Sequence, residues 1–168
     1  MKVIPVCDLN NATLVDVFNE NQLHSEVTVV YAGEPALGLD EDAYVKVFYP
    51  EGQAVIFWIL PNESLLKMRT VLLGRTELDL LSKQAQQFGI KINWDEKLAF
   101  ENQNAGGFGT LNVNLVGLTL DYALPYSEGV LDETVLLSGE NLVRGAKRVW
   151  TIFEITIDRV LRKANQNQ

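Results

Sequence analysis

The chain is 168 residues long, 47% hydrophobic and 21% charged, with a formal net charge of −8. That length suits one domain with an ordinary core, and the composition is that of a globular chain, not a disordered one. The negative balance disfavours non-specific binding to nucleic acid or an anionic membrane, and a single cysteine, Cys7, excludes an internal disulfide.

Residues 2–7, KVIPVC, predict a short strand, which Pro5 confines to a sheet edge because it has no N–H to offer a second neighbour. The apolar stretch there is too short for a secretory segment. Asn11 is expected to cap a helix that presents Leu14, Val15 and Phe18 on one side. EVTVVYA, 26–32, is β-branched and predicts a strand, and GEPALGLDED a loop. AYVKVFY, 43–49, alternates, PEG turns the chain, and QAVIFWIL, 53–60, returns as the second strand of a hairpin. That strand is apolar on both faces and so belongs mid-sheet under a helix. Its Ala54–Leu60 run is the longest purely apolar one, far short of the ~20 residues that span a bilayer.

Beyond it, Asn62 as a cap, a break at Gly74, Thr76 with Asp79 as a capping box and Gly89 as a terminator predict one broken helical region, 63–88. IKINW predicts a strand and KLAFENQ an extended stretch. TLNVNLVGLTLDYAL predicts one or two strands, with a change of apolar phase beside Gly117 that suggests a bulge or bend. The last element has the strongest pattern. Leu142, Ala146, Val149, Trp150, Phe153, Ile157, Val160, Leu161 and Ala164 recur at helical steps, with Ser138 near the start and Trp150 expected in the core. The sum is an α+β fold in a single domain, 1–168. It has an antiparallel sheet of about five to six strands, an N-terminal helix, a middle helical region and a long C-terminal amphipathic helix.

Candidate chemistry is sparse. NQNAGGFGTLNVN, 102–114, has the glycines of a phosphate cradle but no following lysine, and no Lys or Arg occurs from Leu98 to Val143. A strand pattern follows it where a phosphate loop needs a helix N-terminus. Gly106, Gly107 and Gly109 are therefore read as a turn. One histidine, His24, and one thiol do not make a structural zinc site, and nothing in their spacing argues for a Cys7–His24 dyad. Asp40–Glu41–Asp42 lacks the ligand spacing of a calcium loop, and Asp132–Glu133 is read the same way, as a solvated loop. No catalytic, cofactor-binding or metal-binding residues are assigned, and paired carboxylates cannot be picked out of 22 acids, because the pairing is spatial.

Charge is uneven. From Glu140 onward there are six bases and three acids, and the preceding 139 residues hold eight bases and 19 acids. On the final helix, Ile152 and Ile155 fall outside the apolar stripe, between Arg148 and Arg159. These four residues form the candidate partner-binding face, for another protein or a second copy in a homodimer.

The order of elements resembles the type III secretion chaperone-like fold, and within it the YbjN-like family of sensory-transduction regulators. LVDVFNENQL stands for the first helix, DEDAYVKVFYPEGQAVIFWIL for the hairpin, and ELDLLSKQAQQFGIKINW for the middle helix running into a strand. LNVNLVGLTLDYALP and ENLVRGAKRVWTIFEITIDRVL stand for the closing strands and helix. The resemblance covers about residues 11–163. It implies a non-enzymatic, often dimeric protein that binds another protein or an extended segment of one. The expectation is a cytoplasmic chaperone-like or regulatory binding protein with no cofactor, no nucleic acid and no membrane partner. The alternatives are a phage or bacterial-competition structural or immunity protein, and a small enzyme or ligand-binding domain with a pocket between sheet and helix.

Overall fold

The computed structural model describes residues 1–21, 28–30, 44–104 and 108–166. The chain runs β1 (Val3–Pro5), α1 (Asn11–Glu20), β2 (Thr28–Val30), β3 (Val45–Phe48), β4 (Ala54–Leu60), β5 (Leu65–Gly74), α2 (Arg75–Gln87), α3 (Trp94–Asn104), β6 (Thr110–Asn114), β7 (Gly117–Pro125), β8 (Gly129–Leu131) and α4 (Asp132–Gln166). Six strands pair antiparallel in the order β2-β3-β4-β5-β7-β6, and β1 pairs with β8 in a second, two-stranded sheet. The α+β class, the edge position of the Pro5 strand and the internal position of β4 are as the sequence predicts. His24 and the Asp40–Glu41–Asp42 cluster lie outside the described residues.

One face of the large sheet makes the core. Its register aligns Val45, Phe57, Met68 and Tyr122, and next to them Thr70, Leu120 and Leu111. Helices cover this face. Phe18 of α1 meets Phe57 with ring centroids 4.9 Å apart, and Leu14, Val17 and Phe18 are all buried. Asn10, not Asn11, caps α1, its Oδ1 accepting the Thr13 N–H at 3.0 Å. From α4, Val135, Leu142, Val143, Ala146, Val149 and Phe153 are buried in the same core. On the opposite face Arg69 grips Asp121 of the neighbouring strand through two bonds of 2.7 and 2.9 Å and lies over the Trp58 ring. Such a bidentate pair fixes register as well as charge.

Other expectations are refined or corrected. The stretch opening the supposed helical region 63–88 is β5, the longest strand, and only α2 is helical. Pro61–Glu63 forms a tight turn, Ser64 takes the left-handed conformation (φ 52°), and Leu66, Met68 and Thr70 then point alternately into the core. Its Leu, Lys, Met and Arg residues favour a helix locally, but pairing on both sides, with β4 and β7, overrides that preference. IKINW is not a strand, and KLAFENQ is not extended but belongs to α3. Trp94 and Leu98, four apart, are its inward positions. Trp94 stacks on Phe153 at 6.2 Å and donates its Nε1–H to Ser82 Oγ at 3.0 Å, tying α2, α3 and α4 together. The phase change beside Gly117 is a hairpin turn between β6 and β7, with Leu115 91% exposed at its tip. Gly117 has φ 134°, and a side chain there would collide with the backbone of Leu73 and Gly74.

Gly109 also has positive φ (98°), and a Cβ would come within 2.9 Å of the Asp121 carbonyl oxygen. Strand β6, not a helix, follows it directly, and residues 105–107, with Gly106 and Gly107, lie outside the described residues. Asn102, at the end of α3, accepts the Leu111 N–H at 2.8 Å and donates to the Leu111 carbonyl at 3.1 Å. A side-chain amide thus takes the place of a neighbouring strand on the outer edge of β6.

Helix α4 begins at Asp132, six residues before Ser138, and runs for 35 residues. Asp132 and Glu133 are therefore a helix start and not a loop. The Asp132 carboxylate accepts the Lys2 N–H at 2.9 Å and the Glu133 N–H at 2.7 Å, which hold it below the usual aspartate range. Gly139, within this helix, lies against the sheet. A Cβ there would collide with the Tyr49 hydroxyl and lie 2.9 Å from Phe57 Cζ.

Candidate functional site

Between α2 and α4 lies a cleft of about 340 Å³, whose lining includes Leu73, Leu80, Leu81 and Trp150, with Glu77, Glu154 and Asp158 among its polar groups. Its walls follow from two amphipathic helices with more apolar surface than the core uses. In α2, Leu78 and Ala85 are buried against the sheet, which leaves Leu80 and Leu81 turned along the flank, Leu80 53% exposed. An Arg75–Asp79 pair at 3.2 Å stabilises the first turn. On α4, Trp150, Glu154 and Asp158 are successive positions four apart and share one side of the helix.

Trp150 is not a core residue. It is half-buried at the margin of the α4 stripe, while Val149 and Phe153 beside it are buried. The sequence periodicity places Trp150 with the core because the nine apolar positions span too wide an arc for one face. On its other side Trp150 borders a second, smaller cleft of about 260 Å³ with Gln53, Leu72, Ala146 and Lys147. Trp150 therefore borders two depressions.

Of the four residues proposed from the sequence, Arg148 is exposed on α4. Ile152, Ile155 and Arg159 belong to the same helix, and their side chains lie outside the described part. Arg148 is not among the described residues that line the α2–α4 cleft. The spacing of Trp150, Glu154 and Asp158 was a legible signal for this side of the helix, and the surplus leucines of α2 were another.

A third depression, of about 300 Å³, lies beside α1 and β1 and is lined mainly by polar groups, among them Lys2, Asp8, Asn10, Thr13 and Asp132. Several of these are engaged in chain architecture. Asn10 caps α1, the Thr13 hydroxyl donates to the Asp8 carbonyl at 2.7 Å, and Asp132 binds two backbone N–H groups. Among the described residues no cluster of three His, Cys, Asp or Glu is arranged to hold a metal ion. Cys7 is a free, exposed thiol. Nor is any described helix long and apolar enough to cross a membrane.

The most perturbed acid is Tyr49. Burial, and secondarily the Glu140 carboxylate, push its phenol far above the ordinary tyrosine range. Its hydroxyl has no hydrogen-bond partner among the described residues. It faces Gly139 inside the core and lines none of the three clefts described above. Comparison of the chain with protein-family models, curated proteins and solved structures finds no match.

Proposed function

We propose that this is a non-enzymatic, cytoplasmic binding protein of chaperone-like or regulatory type, which holds part of a partner protein in the groove between α2 and α4. The observation that carries the proposal is the apolar cleft with half-buried Trp150 on one wall and exposed Leu80 on the other, ringed by charge. Interfaces concentrate their energy on large aromatic anchors in such depressions, with a charged rim that excludes water. The resemblance to the YbjN-like regulators points the same way through the N-terminal helix, the antiparallel sheet and the long final helix. The chain differs from that pattern in having β5 before α2 and a helix, α3, where a strand was expected. As a small-molecule site the cleft is at the lower end of the usual size range, and several of its polar groups are carboxylates instead of a mixed donor and acceptor set.

The test is a side-by-side affinity capture with the native chain and a Leu80→Asp variant. Leu80 is exposed enough that the change should leave stability within about 0.5 kcal/mol. A partner retained by the native chain and lost by the variant, at equal melting midpoint, supports the proposal. Partner retention indifferent to Leu80→Asp, together with a melting shift caused by a nucleotide or small metabolite, overturns it.

A further inference from the structure

From the chemistry of the groove we infer its occupant, an inference that rests on the docking reading above: a basic amphipathic helix of another protein, with apolar side chains on Leu80 and Trp150 and Lys or Arg beside Glu77, Glu154 and Asp158. Three carboxylates come from two different helices, so they line both walls of the cleft. Asp158 has a cation nearby in Arg162, but at 3.6 Å between side chains 61% and 79% exposed this is a weak, solvent-screened pair that a partner cation can displace. The chain as a whole carries −8; the segment from Glu140 onward is net basic, so the long-range attraction for a basic segment comes from the acidic body before it, which includes α2. An acidic helix loses on both counts, because its charges would meet like charge at the rim, and a neutral one forgoes the attraction.

Length fits the same occupant. Trp150 to Asp158 is eight residues of helix, about 12 Å at 1.5 Å per residue. That accommodates about two turns of a docked helix, enough for apolar anchors at i and i+4 with bases on the flanks. The apolar contact sets how long the complex lasts, and the carboxylates set partner choice and association rate.

The probe is a fluorescently labelled helical peptide of leucine and lysine in amphipathic order, measured by anisotropy at physiological ionic strength. A leucine/glutamate counterpart and a serine/lysine peptide of equal charge accompany it. The leucine/lysine peptide is expected to bind at least about tenfold more tightly than either control. Joint Glu77→Gln, Glu154→Gln and Asp158→Asn substitution should weaken it about tenfold or more, and Leu80→Ser should weaken it without unfolding the chain. Equal binding of the leucine/glutamate peptide, or no effect of the triple neutralisation, overturns the basic-helix inference. If Leu80→Ser still weakens binding in that case, the docking groove stands and only its chemistry was misassigned. Binding indifferent to Leu80→Ser removes the groove itself. A dimer that Leu80→Ser converts to monomer also overturns the inference, since the occupant is then a second copy of this chain.

Discussion

Replacing a glycine by alanine in the middle of an exposed helix ordinarily stabilises it by about 1 kcal/mol, because glycine has more backbone freedom to lose. Gly139→Ala should do the reverse. The new methyl would collide with the Tyr49 hydroxyl and stand 2.9 Å from Phe57 Cζ and 3.2 Å from Tyr49 Cζ. Both rings are buried, Phe57 completely, so neither can swing into solvent to make room. Overpacking of this kind costs about 1–3 kcal/mol. Set against the helix gain, the expected net loss is up to about 2 kcal/mol, or up to about 8 °C in melting midpoint for a chain of this size. Denaturant unfolding followed by circular dichroism, with the slope unchanged, measures it. Tyr49→Phe alone should be neutral or stabilising, because it deletes a buried hydroxyl without a partner among the described residues. Combined with Gly139→Ala it should recover part of the loss, a coupling of about 0.5 kcal/mol or more. A higher melting midpoint for Gly139→Ala would refute the close approach of α4 to the sheet. Full additivity in the double variant would mean that the hydroxyl is not what the methyl meets.

Other consequences are simpler to state. Since burial raises the Tyr49 phenol pKa, its share of stability is complete below the unfolded tyrosine value of about 10 and is lost as pH rises beyond it, so Tyr49→Phe should flatten the alkaline limb of a stability–pH curve. Asp132 is shifted down by the Lys2 N–H first, so its contribution is present at neutral pH and disappears on acidification below about 4; Asp132→Asn should lower stability at pH 7 and shrink the acid dependence. Phe153→Ala should cost about 3–5 kcal/mol, and Trp150→Ala clearly less, because Phe153 is buried and Trp150 is only half-buried. For the face proposed from sequence, Ile152→Glu with Ile155→Glu should change native mass or partner retention while leaving the helical dichroism intact, and loss of cooperative unfolding at constant mass would rule against an interface there.

The parts of the fold that were legible are those where local pattern and tertiary role agree. The β3–β4 hairpin is such a case, with Pro50 and Gly52 between two β-rich runs, and so is α4, whose apolar steps are helical throughout. β5 failed because its residues are good helix formers and only pairing makes it a strand, and one of its two partners, β7, is distant in sequence. α3 failed for a related reason. The alternation in IKIN looks like a strand, but no described strand pairs with it, while Trp94 and Leu98 anchor a helix to α4. The candidate groove was half legible. Trp150, Glu154 and Asp158 are spaced along one line of α4, but Leu73, Glu77 and Leu80 join them only through the way α2 leaves the sheet.

The Asn102 amide on Leu111 has a bearing on how the chain is born. An open strand edge invites other extended chains to add to it, and the danger is greatest while a chain is still emerging and its neighbours are crowded around it. Ribosomes make proteins from the N-terminus, so α3 and Asn102 are out before β6 exists. By the time Leu111 can present its N–H and carbonyl to a stranger, the residue that claims both is nine positions ahead of it. The guard precedes the strand it guards.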